Sequence, residues 1–117
     1  MRKYPGNCHC GGISFAFSSP PIEDGMRCDC SICKRKGAAL TNFTIPPDQL
    51  NIEDPNNLLS SYQFDDRVAK HYFCKQCGIF TFVSTRLNPG EYRVNLGCID
   101  EIDTFRLPMV MFDGKSI

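Results

Sequence analysis

Cysteines are the residues in this sequence whose types and spacing predict chemistry. The chain has eight of them, and all but Cys98 fall in three short groups, C-H-C, C-D-C-S-I-C and C-K-Q-C. The members of the three groups are Cys8 and Cys10, then Cys28, Cys30 and Cys33, then Cys74 and Cys77. Thiolates at such spacings are typical zinc ligands. The cysteine pattern therefore predicts metal binding.

The local geometry of each group supports this prediction. The letters FCKQCG place a tight turn directly after a predicted strand, and Gly78 supplies the backbone freedom that a zinc knuckle needs after its second cysteine. In the two C-x-C motifs, extended backbone would point residues i and i+2 to the same face. Each group can thus aim at least two sulfurs at one ion.

The number of sulfurs predicts two different zinc sites. A closed structural site takes about four ligands, whereas a catalytic site typically holds three protein ligands and keeps one position open. A knuckle supplies two ligands and needs a distant pair, and C-H-C is the only other pair without a third member. The predicted ligands are, for the structural zinc, Cys8, Cys10, Cys74 and Cys77 and, for the open zinc, Cys28, Cys30 and Cys33.

Disulfides or inert buried thiols are the alternative for these cysteines. The N-terminal letters MRKYPGNCHCGG contain no apolar leader, and no run approaches the ~20 residues of a membrane span, so a cytoplasmic protein without membrane contact is expected. Metal ligands are then favoured, because cytosolic thiols stay reduced.

Cys98 is interpreted as a small buried hydrophobic residue, and the alternatives are a fourth metal ligand or a resolving thiol. His9 and His71 are interpreted as strand residues or neighbours of the metal sites, not ligands.

Three cations, Lys34, Arg35 and Lys36, follow the triplet directly. They could offset thiolate charge and present a cationic rim to an anionic ligand, or they could form a solvated face. The whole chain carries thirteen basic and thirteen acidic side chains, so no overall positive field would hold a phosphate backbone. Nucleic-acid binding is therefore disfavoured, and the composition gives no oligomeric state.

The elements that must position the cysteines are predicted to be strands. With 117 residues and 42% hydrophobic side chains, the chain can form one zinc-binding domain, residues 1–117. Apolar alternation and β-rich runs predict strands at 13–17, 39–45, 58–64, 69–73, 79–85 and 92–99. Only PPDQL, residues 46–50, favours a helical turn. Such a sheet-rich fold brings distant segments together, as the shared structural zinc requires.

These motifs resemble those of one known family. The stretches GNCHCGGISF, CDCSICKRKGA, HYFCKQCGIFTF, NPGEY and NLGCID are similar to the glutathione-dependent formaldehyde-activating enzymes, and most of all to the branch that contains centromere protein V. The resemblance covers roughly residues 6–100. It implies an all-β domain of several coiled antiparallel sheets, of the β-tent type, stapled by zinc. It also implies a structural and a catalytic zinc on the two cysteine sets given above.

The function that the resemblance implies is a carbon-sulfur lyase acting on a thiol-aldehyde adduct such as S-hydroxymethylglutathione, with glutathione as co-substrate. An open zinc could take a thiol or water as its fourth ligand, and Lys34 or Arg35 could contact the glutathione carboxylates.

The sequence departs from the family pattern at its C-terminal segment. Family members often continue into a tail with His and Trp, whereas this chain stops at FDGKSI without Trp, which predicts a more open or reshaped cleft. Two other interpretations are a non-catalytic zinc-stapled module for a protein or nucleic acid, with a closed second site, and a thiol redox sensor.

Overall fold

The computed structural model describes residues 1–116, which form nine strands, one α-helix and three short 3₁₀ turns. The strands are β1 (Arg2–Asn7), β2 (Ser14–Ser19), β3 (Gly25–Cys28), β4 (Asn51–Glu53), β5 (Leu59–Tyr62), β6 (Lys70–Cys74), β7 (Phe80–Ser84), β8 (Tyr92–Val94) and β9 (Met109–Phe112). The helix is α1 (Ser31–Lys36), and the 3₁₀ turns are Pro47–Gln49, Leu96–Cys98 and Gly114–Ser116. Within residues 1–116, no helix has the length and apolar character that crossing a membrane requires.

Three sheets make up the fold. Their strand orders are β1-β2-β4, β3-β9 and β5-β6-β7-β8. The strands of the first and third sheets pair antiparallel, whereas β3 and β9 pair in parallel, with Cys28 opposite Phe112. The prediction of an all-β domain with several sheets is confirmed, and the parallel pair is a feature that no local pattern indicated.

The main core lies between the first and third sheets. The alternation in ISFAF buries Phe15 and Phe17 from β2, as predicted for a strand with one apolar face. Phe82 of β7 is fully buried and meets the ring of Phe15 edge-on, with centroids 5.7 Å apart. This aromatic contact packs the two sheets against each other and fixes the surfaces from which the cysteine groups extend.

Several predicted elements differ from those observed. Residues 39–45 do not form a strand; Leu40 makes single bridges to Met26 and Asn95, and Ile45 makes one to Tyr92. The predicted strand at 92–99 ends at Val94 and continues as a 3₁₀ turn. The helical turn predicted in PPDQL is present, whereas α1 and the strands β3, β4 and β9 were not predicted. The segment around Leu40 links the β3-β9 pair to the third sheet. Because its backbone bonds are divided between these two sheets, it does not form a continuous strand with either one.

Candidate metal centres and the adjoining cleft

The first and third cysteine groups meet where β1 and β6 end. Cys8 and Cys10 lie in a turn after β1, closed by the backbone of Gly11, whose N–H donates to the Cys8 carbonyl at 3.1 Å. Cys74 is the last residue of β6, and Cys77 follows in the predicted knuckle turn. The four sulfurs all lie within 4.8 Å of one another. The structure therefore brings together the four residues that the sequence assigned to one site, with the C-x-C pair in a turn rather than in extended backbone.

The distances between these sulfurs fit a zinc ion. Zinc-sulfur bonds of about 2.3 Å in a tetrahedron place the sulfurs about 3.8 Å apart. The Sγ atoms of Cys8 and Cys10 are 3.6 Å apart, and those of Cys10 and Cys74 are 3.7 Å apart. Backbone N–H groups of Ile13 and Cys77 point at the sulfurs of Cys8 and Cys74, at 3.4 and 3.5 Å. Such N–H groups favour thiolates over thiols, as a metal ligand set needs.

As free thiols, the members of this set differ in acidity. Burial raises the pKa of Cys8 to about 11. Although burial acts in the same direction at Cys77, N–H groups of Cys10 and Ile79 outweigh it and lower the pKa of Cys77 to about 6. Cys77 therefore offers a cation a thiolate more readily than Cys8 does.

The second cysteine group comes from one short segment. Cys28 ends β3, Cys30 stands directly before α1, and Cys33 lies in the first turn of that helix. The helix ends at Gly37, which adopts φ +65° and donates its N–H to the Cys33 carbonyl at 3.0 Å. The three sulfurs lie within 4.8 Å of one another, and within residues 1–116 no fourth Cys, His, Asp or Glu joins them. This set fits a metal ion with one free position.

Mutual interactions among these thiols distinguish Cys30 from its neighbours. Burial raises the pKa of Cys28 and of Cys33, with the positive charge of Lys36 opposing it at Cys33. At Cys30, burial is outweighed by the backbone N–H of Cys33 and by the thiols of Cys33 and Cys28, so its pKa is lowered. Cys30 is therefore the preferred first thiolate of the triplet.

The C-terminal segment packs directly on the triplet. Because β9 runs beside β3, the N–H of Asp29 donates to the Phe112 carbonyl at 3.2 Å, and the N–H of Lys115 donates to Asp29 Oδ1 at 3.0 Å. Between these contacts, Gly114 lies so close to Cys28 that a Cβ there would overlap the Cys28 sulfur. Residues 112–116 thus shape one side of the triplet, and only glycine fits at residue 114.

A cleft of about 390 Å³ adjoins the triplet. All three cysteines line it, together with an apolar wall formed by Met26, Leu40, Val83 and Phe112. Two loops, which contain residues 64–66 and 85–88, also line the cleft. The cleft can therefore take a small molecule with one end at the triplet and the remainder along the apolar wall.

Three cationic side chains line this cleft, and they differ in their partners. Arg86 and Lys115 are each paired with an aspartate, at N···O distances of 2.9 and 3.9 Å. Arg93 is half-buried and donates to the Thr41 carbonyl at 2.8 Å, with no carboxylate in ion-pair range within residues 1–116. Arg93 is therefore the cleft cation whose charge is available to an anionic ligand.

The basic run of α1 divides between two faces. Lys34 and Arg35 are exposed, Arg35 donates to the Ser31 carbonyl at 2.8 Å, and neither residue lines the cleft. Lys36 turns inward instead, with Nζ 3.5 Å from the centroid of the Phe80 ring. The substrate contact predicted for Lys34 and Arg35 stays a prediction. Their exposed positions agree with the alternative that these side chains form a solvated face. Sequence reasoning missed Arg93 and Gly114, which stand outside any motif.

Cys98 belongs to neither group. It is buried in the main core, and its Sγ donates to the Phe80 carbonyl at 3.6 Å. Burial raises the pKa of Cys98 to about 12. Its position agrees with the reading as a small buried hydrophobe and places it away from the triplet.

The fold and the two sulfur sets define a class of protein: a β-sheet domain with two cysteine clusters, one of which borders a ligand-sized cleft. The sequence model of the glutathione-dependent formaldehyde-activating enzymes matches residues 3–114. The chain therefore belongs to this family.

Individual relatives agree with this assignment. A Halomonas elongata protein, provisionally named a glutathione-dependent formaldehyde-activating enzyme, is 30% identical over 79 residues, which is 62% of this chain. The chain matches only 50% of that protein's length. The crystal structure of a Rhodobacter sphaeroides protein from structural genomics superposes with a TM-score of 0.79 at 35% identity and covers 91% of this chain and 99% of the other. The same fold is therefore present in a solved structure.

Proposed function

We propose that this protein is a zinc-dependent carbon-sulfur lyase that forms and cleaves a thiol-aldehyde adduct such as S-hydroxymethylglutathione. The observation that carries the proposal is the triplet of Cys28, Cys30 and Cys33 on the wall of the cleft, with no fourth protein ligand among residues 1–116. A ligand set of three with one free position is typical of catalytic zinc. Family membership supports a thiol-aldehyde adduct as the substrate class.

The reaction needs no further reactant. When the adduct R-S-CH2-OH is cleaved, the carbon-sulfur bond breaks, its electron pair stays on sulfur, and the hydroxyl oxygen forms the carbonyl bond of formaldehyde as its proton leaves. Zinc bound by the triplet would supply a Lewis acid that stabilises the thiolate at neutral pH. The protein must hold the thiol near the triplet and exclude other nucleophiles from the aldehyde carbon.

Residues of the cleft walls suit these tasks. The guanidinium of Arg93 can donate to a carboxylate of the thiol while it keeps its bond to the Thr41 carbonyl. The apolar wall that contains Val83 and Phe112 lines the side along which the aldehyde carbon would lie. Glutathione has two carboxylates, so Arg93 would bind one and leave the other to solvent or to the loops.

The first cysteine set has a structural role in this proposal. Zinc on Cys8, Cys10, Cys74 and Cys77 would join the turn after β1 to the turn after β6. Both ions require reduced thiols, so we place the protein in the reducing cytoplasm. Small thiols and aldehydes are its proposed partners.

The test is exchange NMR with [13C]formaldehyde and glutathione, using protein loaded with two zinc ions. We expect the exchange rate between formaldehyde hydrate and the adduct to rise in proportion to protein concentration. Cys30→Ser should abolish this increase and keep one zinc, whereas Cys98→Ala should retain activity. Fully loaded protein that leaves the uncatalysed rate unchanged would contradict the proposal and favour the non-catalytic module.

A further inference from the structure

His71, on the cleft wall, contacts Lys36 in an arrangement that the cysteine chemistry does not explain. His71 belongs to β6, lines the cleft and is only 7% exposed. Its Nδ1 lies 3.0 Å from the Nζ atom of Lys36. The ring of Phe64 stacks on the imidazole at 5.9 Å and 26°. The hydrogen bond and the stacking together fix both the position and the plane of the His71 ring.

The direction of the hydrogen bond follows from the charge on Lys36. Its ammonium lies over the Phe80 ring at 3.5 Å, a position that stabilises a cation. Burial lowers the pKa of Lys36, and the charges of Cys33, Cys30 and Cys28 oppose this shift without cancelling it. Within residues 1–116, no carboxylate lies in ion-pair range of Lys36, so thiolates of the triplet are its compensating anions. An ammonium can only donate, so Nδ1 of His71 accepts.

The proton of a neutral His71 must then be on Nε2. Within residues 1–116, Nε2 has no hydrogen-bond partner, and no buried side-chain nitrogen or oxygen there lacks one. Nε2 is therefore reached by solvent, and His71 borders the cleft. In this tautomer the imidazole has a single N–H donor, at the solvent-accessible Nε2 of a residue that lines the cleft.

We propose that Lys36 holds His71 in the Nε2–H tautomer, so that Nε2–H donates a hydrogen bond to the oxygen of the thiol-aldehyde adduct. The identity of that oxygen rests on the proposed function. Lys36 is a positioning residue, and His71 is a catalytic residue of the reaction. The arrangement explains why a lysine beside the thiol triplet turns inward and away from solvent.

The chemical role of this donor follows from the charge that the reaction creates. When a thiolate adds to formaldehyde, the carbon-sulfur bond forms, the carbonyl electron pair moves to oxygen, and the proton released by the thiol ends on that oxygen. A preorganised N–H stabilises the oxygen as its charge develops. Burial and the charge of Lys36 lower the pKa of His71 to about 4, so the ring stays neutral at pH 7 and keeps this role.

The first test reads the tautomer directly, without any turnover. Long-range 1H–15N spectra of zinc-loaded protein at pH 7 distinguish the two tautomers, and His71→Gln assigns the signals, because the chain has only two histidines. We expect Nε2–H in the wild type and in Lys34→Met, which alters an exposed lysine of the same helix. Lys36→Met should give mixed tautomers. An Nδ1–H or mixed ring in the wild type would overturn the proposal.

The second test measures catalysis by the same variants. We expect His71→Leu to lower kcat by about 10²-fold with little change in KM, and His71→Gln, whose amide can donate, to recover part of it. Zinc content and melting temperature establish that each variant is folded and loaded. Activity of loaded His71→Leu within twofold of wild type would show that His71 is not a catalytic donor. If wild-type protein has the expected tautomer but no activity, the proposed function and the adduct oxygen are wrong, and the Lys36–His71 contact stands.

Discussion

The two cysteine sets differ in what they connect. The first joins turns that follow β1 and β6, and its members Cys8 and Cys74 are fully buried. The triplet belongs to one continuous segment, its members are half-buried, and it borders the cleft. The first set thus brings together Cys8 and Cys74, which are 66 residues apart in the sequence, whereas the triplet lies within a single segment of six residues, 28–33.

This difference supports the separate roles that we propose for the two cysteine sets. A metal that links distant segments contributes its binding energy to folding, because the unfolded chain must close a long loop to form the site. A metal held by a local segment adds less to the fold, so one of its positions can be left for substrate. The surroundings of the sulfurs, more than their number, distinguish a structural from a reactive centre.

The largest expected effect separates the two sets by mutation. Cys74→Ser should remove the crosslinking zinc and abolish the cooperative unfolding transition, since structural zinc binding is worth about 10–16 kcal/mol in zinc-finger peptides. Cys30→Ser should lose one zinc and keep a cooperative transition. Zinc content and thermal unfolding followed by circular dichroism check both results. Equal loss of structure in the two variants would remove the distinction.

The next effect concerns substrate binding beside the triplet. Arg93→Met should raise KM for glutathione by roughly 10- to 150-fold, the equivalent of the ~1.5–3 kcal/mol of a charged hydrogen bond. Arg93→Lys should recover only part, because an ammonium cannot form the two-pronged contact. Steady-state kinetics at full zinc occupancy measure this.

Lys34→Met and Arg35→Met provide the matched comparison, because both residues are exposed and lie outside the cleft. We expect each to change KM by less than about twofold, as is usual for a solvated charge. A larger rise for either variant than for Arg93→Met would favour the contact predicted from sequence.

A smaller effect tests the packing of the C-terminal segment. Gly114→Ala places a methyl group on the Cys28 sulfur. Overpacking of this kind costs about 1–3 kcal/mol, so zinc affinity at the triplet should fall roughly 5- to 150-fold. Competition with a chromophoric chelator measures both sites, and the crosslinking site serves as the internal control. Equal weakening of both sites would indicate a general loss of stability.

The smallest effect concerns Cys98. Cys98→Ala should leave two zinc ions bound and lower the free energy of unfolding by about 1–2 kcal/mol, because it removes one buried sulfur from the core. Native mass spectrometry and denaturant unfolding check the two quantities. Loss of a zinc ion would make Cys98 a ligand after all.

Local patterns were sufficient for much of this molecule. The knuckle turn at Cys74 and Cys77 was predicted from spacing and Gly78, and the structure shows the turn closed by the Gly78 N–H at 2.8 Å from the Cys74 carbonyl. The alternation of ISFAF predicted a half-buried strand for the same reason, since each depends on only a few consecutive residues. The division of the cysteines into a set of four and a set of three could also be predicted, because it depends only on the number of cysteines in each motif.

Features that depend on distant residues could not be predicted in this way. The parallel β3-β9 pair joins segments more than 80 residues apart (Cys28 and Phe112), and nothing local in MVMF indicates its partner. Lys34 and Lys36 have the same residue type, yet only Lys36 turns toward Phe80. Arg93 stands in a β-rich run, where alternation gives its face but not the cleft that this face borders.

The parallel pairing of β3 with β9 also sets an order of events for a chain made from its N-terminus. All cysteines of the crosslinking set have been synthesised by residue 77, whereas Phe112 and Gly114, which pack beside the triplet, come near the end. At about 5–20 residues per second, ribosomes need several seconds for the intervening stretch. The nascent chain therefore contains all four members of the first cysteine set before the residues that pack beside the triplet have been made.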